Sequence, residues 1–130
     1  MIIREIKPAG SDPALERYAT RHHLLFHSPH WLSCYASGSV RQCAILNNNQ
    51  EIIGCFLYYL FRKAGLNFII TPPWMPHIAL SFVNPAESVV GRGTYVKDII
   101  RAVSDYFVGL RSAHISINLP AHITDTQPFI

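Results

Sequence analysis

Two hydrophobic patterns occur along this chain: short apolar runs, typical of strands, and apolar residues three and four apart, typical of a helix. Together they predict a domain that contains both strands and helices. Short runs rich in isoleucine, valine and aromatic residues predict five strands, at residues 2–6, 40–46, 52–62, 66–71 and 114–119. The run at 52–62 is apolar on both faces, which is typical of a central strand. Asparagines at 47–49 predict a tight turn before it, so the three middle strands form a meander.

Helix-start signals lie between these strands. Asp12 with Pro13, and Ser28 with Pro29, are the cap-then-proline pairs preferred at helix N-termini. The second of these helices is predicted to close around residues 37–38. A third helix is predicted at residues 94–110, where apolar residues recur four and three apart: Val96, Ile100, Val103, Phe107 and Leu110. The resulting order is β-α-α-β-β-β-α-β, an α+β fold class.

The stretch from residue 67 to residue 109 carries the clearest indication of chemistry. It predicts a strand, a proline-studded loop, and then Gly91, Arg92 and Gly93 opening the third helix. Backbone N–H groups in the first turn of a helix lack intrahelical partners, and the helix dipole attracts negative charge there. One interpretation is a phosphate cradle to which Arg92 adds charge. The other is a flexible glycine loop that leads into a helix.

Composition narrows the class of protein. With 130 residues, 49% hydrophobic and 15% charged, the chain suits one folded domain. The longest apolar run is too short to cross a bilayer and the N-terminus lacks signal-peptide organisation, so a cytoplasmic location is predicted. The net charge of +3 comes from scattered basic residues, which argues against nucleic-acid binding.

The histidines and cysteines of this sequence are the side chains that could bind a transition metal. His30 and Cys34 are four apart and would share a helix face, as in some zinc sites. No second ligand pair has zinc-motif spacing, so no metal site is predicted. Cys34, Cys43 and Cys55 lie in apolar surroundings and are interpreted as core residues, and their odd number argues against a disulfide framework.

The order of elements resembles that of the GNAT acyl-CoA N-acyltransferase superfamily. In that family a loop of pattern Gln/Arg-x-x-Gly-x-Gly/Ala opens the third helix, and its amides bind the pyrophosphate of acyl-CoA. Residues 88–93 (SVVGRG) supply both glycines, although Ser88 stands where Gln or Arg belongs. The resemblance implies a mixed, mostly antiparallel sheet flanked by helices. It also implies acetyl-CoA or another acyl-CoA as cofactor, bound by Gly91, Arg92, Gly93 and Thr94.

Three segments are similar to the Fem-type acyltransferases, which carry two GNAT-like halves in one chain. They are residues 26–32 (FHSPHWL), 49–54 (NQEIIG) and 72–77 (PPWMPH). The match is to the N-terminal half, so residues 1–130 are expected to be a single GNAT-like domain or half-domain, with 120–130 as a linker or tail. A complete GNAT domain continues with another helix and two strands. The fold is therefore expected to be incomplete at its C-terminal end, and to form a homodimer or pair with a second GNAT-like domain.

The function implied by the resemblance is acyl transfer from acyl-CoA to an amine of a small molecule or peptide. His77, in the proline-studded loop, is the candidate catalytic residue, a general base for the acceptor amine. A structural loop histidine is the alternative for that residue. The alternative function is a catalytically silent half-domain that serves as a structural or protein-interaction module. In either case the isolated chain is expected to be inactive, because the acceptor side of two-half enzymes is built with the second half.

Overall fold

The structure is a computed structural model that describes residues 1–120. Within that range the chain is an α+β fold, an open and mostly antiparallel sheet of six strands with three helices. The strands are β1 (Ile2–Ile6), β2 (Val40–Leu46), β3 (Ile52–Lys63), β4 (Leu66–Ile70), β5 (Ser81–Phe82) and β6 (His114–Ser116). The helices are α1 (Pro13–Arg21), α2 (Pro29–Leu32) and α3 (Val89–Gly109), and a 3₁₀ turn covers Leu25–His27. The predicted linker or tail lies outside the described residues, apart from Pro120.

The sheet is ordered β1-β2-β3-β4-β6, with β5 paired to β3. The first four strands are antiparallel neighbours, whereas β6 runs parallel to β4. Helix α3 makes the crossover that a parallel pair requires. The prediction that the third strand is central is confirmed, because β3 pairs with β2, β4 and β5.

Residues 71–77, which we call the proline loop, separate two segments that both pair with the same side of β3. Before the loop, β4 pairs with residues 59–63 of β3, and after it β5 pairs with Gly54 and Cys55. Between the two, the amide of Leu57 donates to the carbonyl of Ile78 at 2.7 Å. Ile78 in turn donates to the carbonyl of Asn118 at 3.0 Å. Residues 78–82 therefore resume the strand line that β4 leaves, and we call them the resumed strand.

Helix α3 covers one face of the sheet. Its buried side chains are Ile99, Ile100, Val103 and Phe107, which pack on Cys43, Ile45, Phe56 and Tyr58. Val96 and Leu110, predicted to belong to the same stripe, are only half-buried at its ends. Helix α1 covers the opposite face, where Leu15 and Tyr18 pack on alternate residues of β2, Ala44 and Leu46. The alternation along β2 thus supplies both layers of the core.

Helix α2 is much shorter than predicted. Ser28 caps it as expected, since its Oγ accepts from the amide of Trp31 at 3.1 Å. The helix nevertheless ends at Leu32, and the prediction that it extends to residues 37–38 is wrong. Beyond Leu32 the amides of Cys34 and Tyr35 bond to carbonyls only three residues back, which is the tighter geometry of a turn.

Two of the three cysteines are core residues as predicted. Cys43 and Cys55 are buried, and burial raises the pKa of the Cys43 thiol to about 12. Cys34 is exposed, so its prediction as a core residue is wrong. The reason is local, because Cys34 lies in the turn after α2, with its sulfur 3.7 Å from the carbonyl of His30.

The last strand is less buried than its pattern predicts. Isoleucine and leucine alternate with polar residues along the predicted strand 114–119, which predicts that Ile115, Ile117 and Leu119 point inward, but Ile115 is 37% exposed. Ile117 and Leu119 are half-buried against the core below α3. The strand lies at the edge of the described sheet, where a side chain has neighbours on one side only, and β6 itself is three residues long.

Substituting Gly54 with alanine is expected to destabilise the fold by about 1–3 kcal/mol, the usual cost of overpacking. A Cβ there would lie 2.6 Å from the carbonyl oxygen of Ser81 and 3.0 Å from Cβ of Phe82, so β3 and β5 would have to separate. Urea unfolding measures the loss. Gly93→Ala is the matched control, because a Cβ at Gly93 meets nothing within 4 Å. An equal response of the two variants would contradict the prediction.

Candidate functional site

A cleft of about 670 Å³ lies beside the resumed strand. One wall is formed by residues 23–27, which include the 3₁₀ turn, and the other by residues 79–82. His77 and Pro120 complete the lining. The cleft therefore brings the predicted residue His77 together with a segment, residues 79–82, that no sequence pattern singled out.

A series of hydrogen bonds leads from two residues that line this cleft, Ala79 and His27, into the interior. The amide of Gly10 donates to Oε1 of Gln42 at 2.8 Å. Nε2 of Gln42 lies 3.2 Å from Nδ1 of His27, and Nε2 of His27 lies 2.9 Å from the carbonyl of Ala79. Both His27 and Gln42 are almost fully buried. The network links the turn after β1, strand β2, the 3₁₀ turn and the resumed strand.

His27 is held in a strongly desolvated position. Burial disfavours the charged imidazolium and lowers the pKa of His27 from 6.5 to about 4, although the bond to the Ala79 carbonyl opposes the shift. At neutral pH the ring is therefore uncharged. A neutral imidazole offers one donor and one acceptor, which is what its two partners require.

His77 is the residue of the proline loop that reaches the cleft. The amide of Ala79 donates to Nδ1 of His77 at 2.9 Å. The ring also meets Phe26 edge-on, with centroids 6.0 Å apart. Ala79 adopts φ +53°, a left-handed conformation that residues other than glycine rarely take. The amide of Ala79, a residue with a strained backbone, therefore orients His77, and the carbonyl of the same residue is bonded to His27.

Aromatic side chains anchor the proline loop over the short α2. The hydroxyl of Tyr35 donates to the carbonyl of Pro73. Phe26 and Tyr35 both pack against Trp31, with ring centroids 5.1 and 6.4 Å apart from it. Trp74, at the tip of the loop, is 82% exposed. These contacts explain how a loop rich in proline, which lacks amide donors, is nevertheless positioned.

The predicted cofactor residues lie inside α3 and not in a loop before it. The helix begins at Val89, five residues before the predicted start at residue 94. Its cap is Ser88, whose Oγ accepts from the amide of Gly91 at 2.9 Å, while the amide of Arg92 donates to the Ser88 carbonyl at 2.9 Å. A Cβ at Gly91 would lie 2.8 Å from that Oγ, so the glycine makes room for the cap. The predicted helix boundary is therefore wrong.

Arg92 and Thr94 also have partners within this segment. Nε of Arg92 donates to the carbonyl of Ala86 at 3.0 Å, and Asn84 Nδ2 donates to the carbonyl of Arg92 at 3.1 Å. The hydroxyl of Thr94 donates to the carbonyl of Val90 at 3.1 Å. Gly93 is exposed and nothing lies near it. None of the four residues lines the cleft that contains His77.

Residues 1–120 meet neither the requirements of a metal site nor those of a membrane-spanning helix. Across residues 1–120, no three His, Cys, Asp or Glu side chains converge in a way that could hold a metal ion. In the same part of the chain, no helix combines the length and the apolar character needed to cross a membrane.

Comparisons with known proteins give little guidance. No protein-family model and no curated protein matches this chain. A solved structure, a mutant of the BH1408 protein from Bacillus halodurans that was a structural genomics target, aligns over 94% of this chain and 84% of its own. It is 11% identical and has a TM-score of 0.38, a likeness too weak to carry an argument.

Proposed function

We propose that this chain is a GNAT-type domain that binds an acyl-CoA and serves the transfer of its acyl group to an amine. The observation that carries the proposal is the position of the cleft. It opens beside the resumed strand and Pro120, close to the hydrogen bond between Ile78 and Asn118 and just after the carboxyl end of β6. In open sheets with parallel crossovers, ligands bind in the crevice outside the carboxyl ends of the strands.

The proposed chemistry follows from this placement. The acceptor amine attacks the thioester carbonyl directly, and hydrogen-bond donors at the cleft stabilise the charge that develops on its oxygen. The C–N bond forms, the C–S bond breaks, and CoA leaves as a thiolate that is balanced by the proton the amine loses. His77 is the side chain we assign to the reacting end, since it lines the cleft. A cytoplasmic location, where acyl-CoA and reduced thiols coexist, is part of the same proposal.

The pyrophosphate is proposed to lie at the first turn of α3, reached through residues 83–88. Gly91, Arg92, Gly93 and Thr94 are the residues proposed to hold it. Because Ser88 already caps the amide of Gly91, an anion would replace the serine oxygen at that amide. Helix N-termini accept anions in this way, through backbone N–H groups and the helix dipole.

Thermal unfolding with and without acetyl-CoA tests the proposal. A ligand that binds the folded state raises the free energy of unfolding by about 2.7 kcal/mol at about 100 times its Kd. We therefore expect a concentration-dependent rise in Tm with acetyl-CoA, and no such rise with acetate and adenosine added separately. An unchanged Tm at millimolar acetyl-CoA would reject acyl-CoA binding.

Gly93→Glu is expected to weaken CoA binding about fivefold. Like charges about 4 Å apart in water repel by about 1 kcal/mol, and a carboxylate at Gly93 would add negative charge beside the proposed pyrophosphate site. The side chain has room, since nothing lies within 4 Å of a Cβ there. Isothermal titration measures the effect, and Gly93→Gln, equal in size and uncharged, is the control. Equal affinity of the two variants would remove this helix start from the site.

A second candidate function is a catalytically silent interaction module, and a specific observation favours it. The polar groups expected to act on a ligand already have internal partners: the Gly91 amide bonds to Ser88, and Nδ1 of His77 bonds to Ala79. The acetyl-CoA titration separates the two candidates, because only the acyltransferase reading requires a nucleotide-thioester ligand.

Under either candidate we propose that the chain pairs with a second GNAT-like domain or with its own copy through β6. This strand is at an edge of the sheet formed by residues 1–120, and Ile115 on it is 37% exposed. Exposed apolar edges are templates for pairing with other chains. Sedimentation equilibrium at about 100 μM, above the micromolar Kd of a modest interface, is expected to show a dimer. A monomer at that concentration would rule out the homodimer.

A further inference from the structure

We infer that His27 is a positioning residue: through Ala79 it fixes His77 in the tautomer with the proton on Nε2, so that a ligand oxygen replacing any present partner of that nitrogen would meet a hydrogen-bond donor and not a base. The donor role of His77 toward a ligand rests on the proposed function, whereas its tautomer does not. This reverses the base role that the position of His77 in a loop first suggested.

The proton of His27 is on Nε2. That nitrogen lies 2.9 Å from the carbonyl oxygen of Ala79, which can only accept, so Nε2 carries the proton. Nδ1 is then the acceptor for Gln42 Nε2 at 3.2 Å. The orientation of Gln42 is set in turn, because the amide of Gly10 can only donate to its Oε1. In this series of hydrogen bonds, each atom is therefore defined as either a donor or an acceptor.

Ala79 connects His27 to His77 through its backbone. Its carbonyl is the one that His27 binds, and its amide belongs to the peptide whose carbonyl accepts from Leu57. With φ at +53°, Ala79 has a conformation that needs such support on both sides. The bond from His27 therefore helps to hold the Ala79 amide in the direction of His77.

The tautomer of His77 follows from its bond to Ala79. A backbone N–H can only donate, so Nδ1 of His77, 2.9 Å from the Ala79 nitrogen, is an acceptor with its lone pair engaged. A neutral imidazole has one proton, which must then be on Nε2. Within the proposed acyl transfer, His77 would donate to an acyl oxygen, and another group or solvent would take the proton of the amine.

Nitrogen-15 NMR of protein labelled at histidine tests the tautomer directly. At about pH 8.5, well above the usual histidine pKa, we expect a pyrrole-type shift for Nε2 of His77 and a pyridine-type shift for Nδ1. The signals are assigned by their loss in His77→Phe. A proton on Nδ1, or averaged shifts for the two nitrogens, would overturn the inference without any further variant.

Variants of His27 test its positioning role. His27→Leu removes the bond to Ala79, and we expect the two His77 shifts to move toward an average. His27→Gln keeps an amide donor for Ala79 and is expected to preserve the difference between them. The control is His23→Asn, which changes another histidine of the same cleft, with a residue that tolerates its φ of +56°. Unchanged His77 shifts in folded His27→Leu, or equal losses in both His27 variants, would overturn the role.

The donor role of His77 toward a ligand is tested by comparing acetyl-CoA with CoA. If His77 donates to the acyl oxygen, His77→Phe should weaken acetyl-CoA binding about fivefold more than CoA binding, since a typical hydrogen bond contributes about 1 kcal/mol. Equal losses for the two ligands would overturn this role. Failure of both to bind the wild-type protein would reject the proposed function together with the donor role, while the NMR result would still decide the tautomer.

Discussion

Phe107→Ala is expected to lower the free energy of unfolding by about 3–5 kcal/mol, a large part of the stability of a domain of this size. The ring is 2% exposed and lies at the centre of the layer between α3 and the sheet. It meets Phe56 and Tyr58 with centroids 5.5 and 5.4 Å apart. Truncation removes those contacts and leaves a cavity that rigid strands on the other side cannot close.

Denaturant unfolding with a two-state fit provides the measurement for Phe107. Val108→Ala is a matched control on the same helix, because Val108 is the next residue and is 69% exposed. We expect a change within about 0.5 kcal/mol for this control, which is usual for surface positions. A loss below about 1 kcal/mol in Phe107→Ala would show that α3 does not pack on the sheet through this stripe.

Acid is expected to weaken the fold by about 3 kcal/mol through His27 alone. Its pKa is about 4 in the folded protein against about 6.5 unfolded, so between these values the unfolded chain binds a proton that the folded chain does not. Stability is therefore fully present above pH 6.5 and is lost as the pH falls toward 4. The cause is desolvation, since the buried ring can be charged only at high cost.

The pH experiment compares wild type with His27→Gln across pH 7.5 to 4 in steps of about half a unit. Other titrating groups are common to both proteins, so the difference between their unfolding curves isolates His27. We expect the gap to narrow or reverse toward pH 4, because the glutamine variant has no proton to bind there. Parallel curves over the whole range would contradict a buried neutral His27.

The elements of the fold were predictable where local signals and burial agree. Strand β2 was predicted to its end residues, because an apolar run bounded by Gly38, Ser39 and the asparagine turn has one simple interpretation. The apolar stripe predicts helix α3, but glycines discourage helix, so the sequence predicts a loop over the residues of its first turn. Ser88, three residues before Gly91, was the cap signal that would have placed the start correctly.

The site was less predictable because its parts are brought together by distant contacts. His77 was selected for its loop, yet its partner Ala79 acts through the backbone, which leaves no trace in residue type. Within the resumed strand, the element β5 has only two residues, which is too short for any periodic signal. Gln42 is the sequence signal that points to the buried hydrogen-bond network, because a side-chain amide within an apolar strand needs a buried partner. That partner, His27, belongs to the segment FHSPHWL, which predicts a helix start at Ser28 and Pro29 but gives no sign that His27 is buried.

Because the three cysteines differ in exposure, their rates of chemical labelling can measure transient opening of the folded protein. Cys34 is on the surface, whereas Cys43 and Cys55 lie in the core with thiol pKa values raised by burial. Alkylating reagents attack thiolates, so the native protein should take up one label rapidly, at Cys34. The two remaining thiols can react only when the sheet separates from its helices. Their labelling rate, followed by mass, therefore measures how often a molecule visits open states that equilibrium spectroscopy does not detect.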